Sequence, residues 1–161
     1  MTAATTPSGG APMRPSILVV TLAVADLERS LAFYREGLGL SSSGIIATEL
    51  HDDVSGADGA IAMFELEGGL ILSLYPRTDL ARDAGIGVDP RSRTEFSLGH
   101  GVKSREEVDA LLARAQAAGA RLLGGPRDRP WGIYSGYFED LDGHLWEVIW
   151  NSGGEATQST G

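Results

Sequence analysis

Hydrophobic positions along the chain change spacing in a regular order, two apart in some stretches and three or four apart in others. Ile17 to Val24 is a β-branched apolar run that predicts a strand, and Asp26 follows at a helix N-cap position. Leu27, Leu31, Tyr34 and Leu38 then fall at helical spacing, with Gly37 and Gly39 closing the helix. Three more strands are predicted at Ser42 to Thr48, Ala60 to Leu66 and Leu70 to Tyr75. Turn chemistry separates them in His51-Asp52-Asp53, in Ser55 to Gly59 and in Gly68-Gly69. From Pro76 to Thr94 the pattern gives way to Arg, Asp, Gly and Pro, which reads as a connection carrying a short turn of helix at Thr78 to Ala84.

The order then repeats. Glu95 to Val102 predicts a strand, Ser104 with Glu107 makes a capping box, and Val108, Leu111, Leu112 and Ala115 form the apolar stripe of a helix that Gly119 ends. Arg121 to Leu123, Gly132 to Asp140 and Leu145 to Trp150 supply three further strands. In the last of these, Leu145, Glu147 and Ile149 share one face, and Trp146, Val148 and Trp150 share the other. Val24 and Val102 lie 78 positions apart and Ser73 and Glu147 lie 74 apart, so a strand-helix-strand-strand-strand unit occurs twice. The expected class is α+β, with two tandem βαβββ modules over 16–76 and 95–151 and a connection at 77–94. The Thr/Ala/Pro/Gly-rich stretch 1–15 and the small, polar stretch 152–161 are expected to lack fixed structure.

Composition narrows the function. With 42% hydrophobic and 22% charged residues the chain is expected to be globular. A formal net charge of −9 argues against a nucleic-acid surface and permits attraction of a cationic small molecule. The absence of cysteine excludes disulfides, zinc-thiolate sites, iron-sulfur clusters and thiol nucleophiles. No run of about 18 apolar residues is present, so no membrane partner is expected, and the first fifteen residues lack the apolar core of a secretory signal. A cytoplasmic location is the expectation.

Candidate chemistry centres on Glu147, a carboxylate between two aliphatic neighbours on one strand face. Such a group costs free energy unless a cation, a donor or a ligand meets it. Pairing to an arginine at a pocket edge is the plain alternative. The run Asp140-Leu-Asp-Gly-His-Leu-Trp-Glu147, together with Val24-Ala-Asp-Leu-Glu-Arg-Ser-Leu-Ala-Phe-Tyr34, resembles the vicinal oxygen chelate superfamily, which includes glyoxalase I, extradiol dioxygenases and bleomycin-resistance proteins.

The resemblance implies that the modules form a curved mixed-sheet cup lined by four metal-ligand positions, which fall here on Val19, Ser73, Ser97 and Glu147. Only Glu147 is a strong ligand. A divalent ion wants at least three donors from histidine or carboxylate, and a two-residue shift to Thr21 and Gly99 supplies none. No metal or other cofactor is therefore expected. By strand parity Val19, Thr21, Ala23, Ser97, Gly99, Leu145, Glu147 and Ile149 line the cup, and Trp131 and Tyr134 are candidates to stack on a planar or cationic ligand. Trp146 and Trp150 are assigned to the helix side, and His100, by parity with Leu98 and Val102, is expected to be a structural or rim histidine. His51 falls in a polar turn and His144 in the Asp-Gly-His turn.

Three functions stay open: a metal-free small-molecule binder of the bleomycin-resistance kind; an isomerase, lyase or dioxygenase using Glu147 as general base or metal ligand; and a non-catalytic dimeric scaffold. A homodimer is implied by the resemblance.

Overall fold

The computed structural model describes residues 12–46, 59–92 and 96–153. Strand β1 (Val19–Val24) leads into helix α1 (Leu27–Ala32), whose first turn is capped by Asp26 accepting from the Arg29 amide at 3.0 Å. The helix continues as a wider π turn over Phe33–Gly37, and Gly39 leaves it with a φ of 84° that favours glycine. Strands β2 (Ile45–Ile46), β3 (Ile61–Glu65) and β4 (Ile71–Pro76) complete the first sheet. Its order is β1-β4-β3-β2, with β1 parallel to β4 and the other pairs antiparallel.

The connection contains helix α2 (Arg77–Ala84), over the stretch 78–84 where the sequence suggested a short turn of helix; it stops at Gly85, which adopts the left-handed conformation. The second module repeats the first: β5 (Ser97–Gly101), α3 (Arg105–Ala117), β6 (Arg121–Arg129), β7 (Ile133–Glu139) and β8 (Leu145–Asn151), in the order β5-β8-β7-β6. The capping box forms with one variation. Ser104 accepts from the Glu107 amide, and the Glu107 carboxylate reaches the Lys103 amide, one residue before the cap. Strand β6 runs six residues past the predicted end at Leu123, because Gly124, with φ 71°, and a register shift between Leu123 and Arg127 absorb the Gly-Gly-Pro interruption. The predicted turns at 51–53 and 55–58, the end of the predicted strand at 47–48, and Glu95 lie outside the described residues.

Both sheets place their helix-side residues in one core. Leu22, Val24, Phe64, Leu72 and Leu74 from the first sheet join Phe138 and Val148 from the second, with Leu31, Tyr34, Val108 and Leu112 of the helices between them. Tyr34 lies between the sheets, its ring centroid 5.9 Å from that of Phe64 and 6.0 Å from that of Trp146. The helices approach so closely that a Cβ on Gly37 would sit 2.6 Å from Cβ of Ala118. Each sheet thus turns its helix face inward and its cup face outward, and β1 and β5 are unjoined edges. The expected two-module architecture is present, with one half-cup on either side of a shared core.

Candidate functional site

The second half-cup carries the polar chemistry. Glu147 on β8 pairs in register with Tyr137 on β7, and Ser135, two residues earlier on β7, shares their face. The Ser135 hydroxyl donates to Oε1 of Glu147 at 2.7 Å and accepts from Nε of Arg129 at 2.5 Å. Nε of Arg129 stands 3.9 Å from the same Glu147 oxygen, and its guanidinium lies 5.2 Å from the centre of the Tyr137 ring. Burial first, and then the adjoining Glu147 carboxylate, raise the Tyr137 hydroxyl above its ordinary pKa. The result is a partly buried Arg129–Ser135–Glu147 relay flanked by Tyr137, with Leu145 and Ile149 on the same face.

The sequence reading missed Arg129, Ser135 and Tyr137. Their alternation on β7 and β6 could have shown them, had β6 been extended beyond the glycines.

The first half-cup sets apolar Val19, Ile71 and Met63 beside Thr21, Ser73 and, at its edge, Glu65. Val19 and Met63 are 42% and 37% exposed on its surface, and Thr21 pairs in register with Ser73 on the central strand. Ser73 is fully buried there, and its hydroxyl has no hydrogen-bond partner. Ser97 and Gly99 lie in the other sheet on β5, paired with Leu145 and Glu147. Val19, Thr21 and Ser73 are therefore brought together on one side of the molecule, and Ser97, Leu145, Glu147 and Ile149 on the other.

The two aromatic candidates are not brought onto the Glu147 face. Tyr134 points to the helix side because it alternates with Ser135: its hydroxyl donates to Asp109 at 2.7 Å and its ring lies 4.2 Å beneath the Arg105 guanidinium. Trp131 is 88% exposed at the tip between β6 and β7, in a left-handed conformation (φ 63°) that is unusual for a residue with a side chain. Trp146 and Trp150 do face the helices: Trp146 stacks on Phe138 at 6.0 Å, and Trp150 approaches Arg105 at 5.8 Å. His100 is exposed on the edge strand β5, at the rim rather than packed on the helix.

Asp140 and Asp142 have a role that the sequence reading left as turn chemistry. Asp140 accepts from the Tyr34 hydroxyl at 2.6 Å, from the amides of Asp142 and His144, and meets Nδ1 of His144 at 2.7 Å. Asp142 accepts from the Ala25 amide at 2.9 Å and from Ser30 at 3.1 Å. Both carboxylates thus fasten the start of the first module to the last turn of the second.

The family-type metal position can be tested on these side chains. Val19 has no donor atom, Ser73 and Ser97 offer neutral hydroxyls, and the carboxylate of Glu147 is engaged by Ser135 and Arg129. Among the described residues no three His, Cys, Asp or Glu side chains cluster as ligands. These groups do not fit a divalent ion.

A family model for the Glyoxalase/Bleomycin resistance protein/Dioxygenase superfamily matches residues 16–148, and the chain belongs to that superfamily. It is similar in structure to a glyoxalase-related enzyme from Fulvimarina pelagi, at 30% identity and a TM-score of 0.69 over 88% of this chain and 96% of that one. A glyoxalase/bleomycin resistance protein/dioxygenase from Nocardioides is 26% identical, with a TM-score of 0.65 over 92% and 91% of the two chains. A point mutant of the fosfomycin resistance protein FosX from Listeria monocytogenes, complexed with Mn(II) and 1S,2S-dihydroxypropylphosphonic acid, is 25% identical, with a TM-score of 0.59 over 84% and 90%. No curated protein matches the sequence. Among the described residues no helix is long and apolar enough to cross a membrane.

Proposed function

We propose that the protein is a metal-free small-molecule binder whose cup is completed by a second copy of the chain. The observation that carries this reading is the Arg129–Ser135–Glu147 relay, which places a guanidinium beside the one strong ligand of the family's four positions. An arginine in that place supplies the positive charge that a cation would otherwise bring.

The direction of the half-cups supports homodimerisation. A pocket of useful depth needs two opposing walls, and the outward sheets of one chain supply one wall each. Joining the edge β1 of one copy to the edge β5 of another would oppose the apolar Val19/Met63 wall to the polar Arg129/Glu147 wall. A guest suited to that cup has an apolar or aromatic body and a polar end able to exchange hydrogen bonds with Arg129 and Glu147.

The test is a thermal-shift screen of metabolites and antibiotics on the wild type, followed by titration of each hit into Arg129→Met and Glu147→Gln. Binding should weaken about tenfold or more in both variants, the scale expected when a charge-assisted bond is lost. Hits that bind both variants as tightly as the wild type would remove the relay from the site.

A further inference from the structure

A second cavity, away from the Glu147 relay, lies where the connection crosses the end of β1. It encloses about 300 Å³ and is walled by β1, α2, the stretch 86–92 and the turn 142–144. Arg77 and Arg91 both line it, and both also line an adjoining hollow at the first turn of α2, beside Ala25 and Thr78.

Arg77 is the anomaly. Its Nε is shielded from solvent and has no hydrogen-bond partner. Among the described residues no carboxylate pairs with it, whereas Arg91 is held at 3.5 Å from the Asp142 carboxylate and 3.2 Å from its carbonyl. A guanidinium nitrogen taken out of water without an acceptor is unfavourable, so an acceptor is what this position lacks. The start of α2 adds partial positive charge, offset in part by the buried Asp79 carboxylate of the same turn, which lies 3.5 Å from Arg82. The N-cap of α2 is Pro76, which offers no side-chain acceptor, so the first-turn amides are uncapped next to Arg77.

Two acidic side chains border the cavity. Asp142 is already satisfied by Ala25, Ser30 and Arg91, and Asp89 is exposed and can face solvent. Ile86, Val88 and Phe96 also line the cavity and present apolar surface that is more than half exposed.

The geometry points to an oxyanion site: a phosphate or carboxylate group seated on Arg77 and the first turn of α2, with any organic body of the ligand against Ile86, Val88 and Phe96. Arg91 stands beside it as a second donor whose position is fixed by Asp142. The cavity adjoins the first half-cup through Thr21 and Ala23 of β1, and it is separate from the relay, since none of Arg129, Ser135, Glu147 or Ser73 borders it.

The experiment titrates inorganic phosphate, and in a second arm benzoate, into the full-length protein at constant ionic strength, with sodium chloride as the reference salt. Backbone amide resonances in the wild type are followed by NMR. We expect saturable shifts of Arg77, Thr78 and Asp79 with at least one of the two anions, an affinity at least tenfold weaker in Arg77→Met, and no loss in Arg129→Met. A response to phosphate alone assigns the site to phosphate groups, and a response to benzoate alone to carboxylates. The proposal is overturned if neither anion moves those three amides saturably, or if Arg77→Met, shown to be folded by circular dichroism, binds as the wild type does. Should Arg77→Met fail to fold, the wild-type amide shifts decide alone.

Discussion

The Tyr34 hydroxyl donates a 2.6 Å hydrogen bond to Asp140, 106 positions further along the chain. The two residues belong to the two stretches that mark the superfamily, so those stretches are also the seam between the modules. Tyr34 accepts in turn from the Trp146 indole at 3.1 Å, and its ring fills the core between the sheets. Replacing Tyr34 by Phe keeps the ring and removes the bond. Urea denaturation should show a loss of about 1–3 kcal/mol, the range for stripping a partner from a buried polar group. An unchanged midpoint would mean that the seam is held by packing alone.

Asp140 also sets an acid limit. Burial pushes its pKa upward, but the hydrogen bond and charge of His144, with the Tyr34 hydroxyl and the His144 amide, outweigh burial and leave it below the usual carboxylate range. A carboxylate depressed in the folded state contributes stability above its unfolded pKa, near 4, and loses that contribution as pH falls through the lower folded value. Stability should therefore drop on acidification below about pH 4. In Asp140→Asn that part of the slope should disappear, as followed by melting temperature against pH. A parallel slope in the variant would assign the acid sensitivity to other carboxylates.

Tyr34 titrates at the opposite end. Burial first, and then the Asp140 charge, raise its hydroxyl well above its ordinary value, so its contribution holds below pH about 10 and fades above it.

If each cup takes its walls from two copies, damaged halves can complement one another. Met63→Lys spoils the apolar wall, and Glu147→Gln spoils the polar one. Each variant alone should bind a thermal-shift hit weakly. After mixing under exchange conditions, heterodimers would contain one cup with both walls intact, and binding should return in part. No recovery, with subunit exchange verified by light scattering on tagged copies, would confine each site to a single chain.

Much of the fold was legible because local signals agreed with the global pattern. Asp26 and Ser104 cap helices, the apolar stripe Val108, Leu112 and Ala115 is buried, and the alternation in β8 divides Glu147 from Trp146 and Val148. The misplacements have physical causes. Gly124-Gly125-Pro126 looks like the end of a strand, but a bulge carries β6 on to Arg129, so the arginine that neutralises Glu147 was hidden. Tyr134 was valued as an aromatic near a loop, yet it is one residue out of phase with Ser135 and faces the helix. The back-to-back arrangement of the half-cups depends on Tyr34, Asp140 and the close contact of Gly37 with Ala118, which join distant parts of the chain and leave no local pattern.

Whether Arg129 takes the place of a metal beside Glu147 is tested most directly by elemental analysis of the purified protein, with melting temperatures before and after chelation. We expect zinc, nickel, manganese and iron well below one ion per chain and the same melting temperature in chelator. One tightly held divalent ion per chain, lost to chelator with a fall in melting temperature, would contradict it.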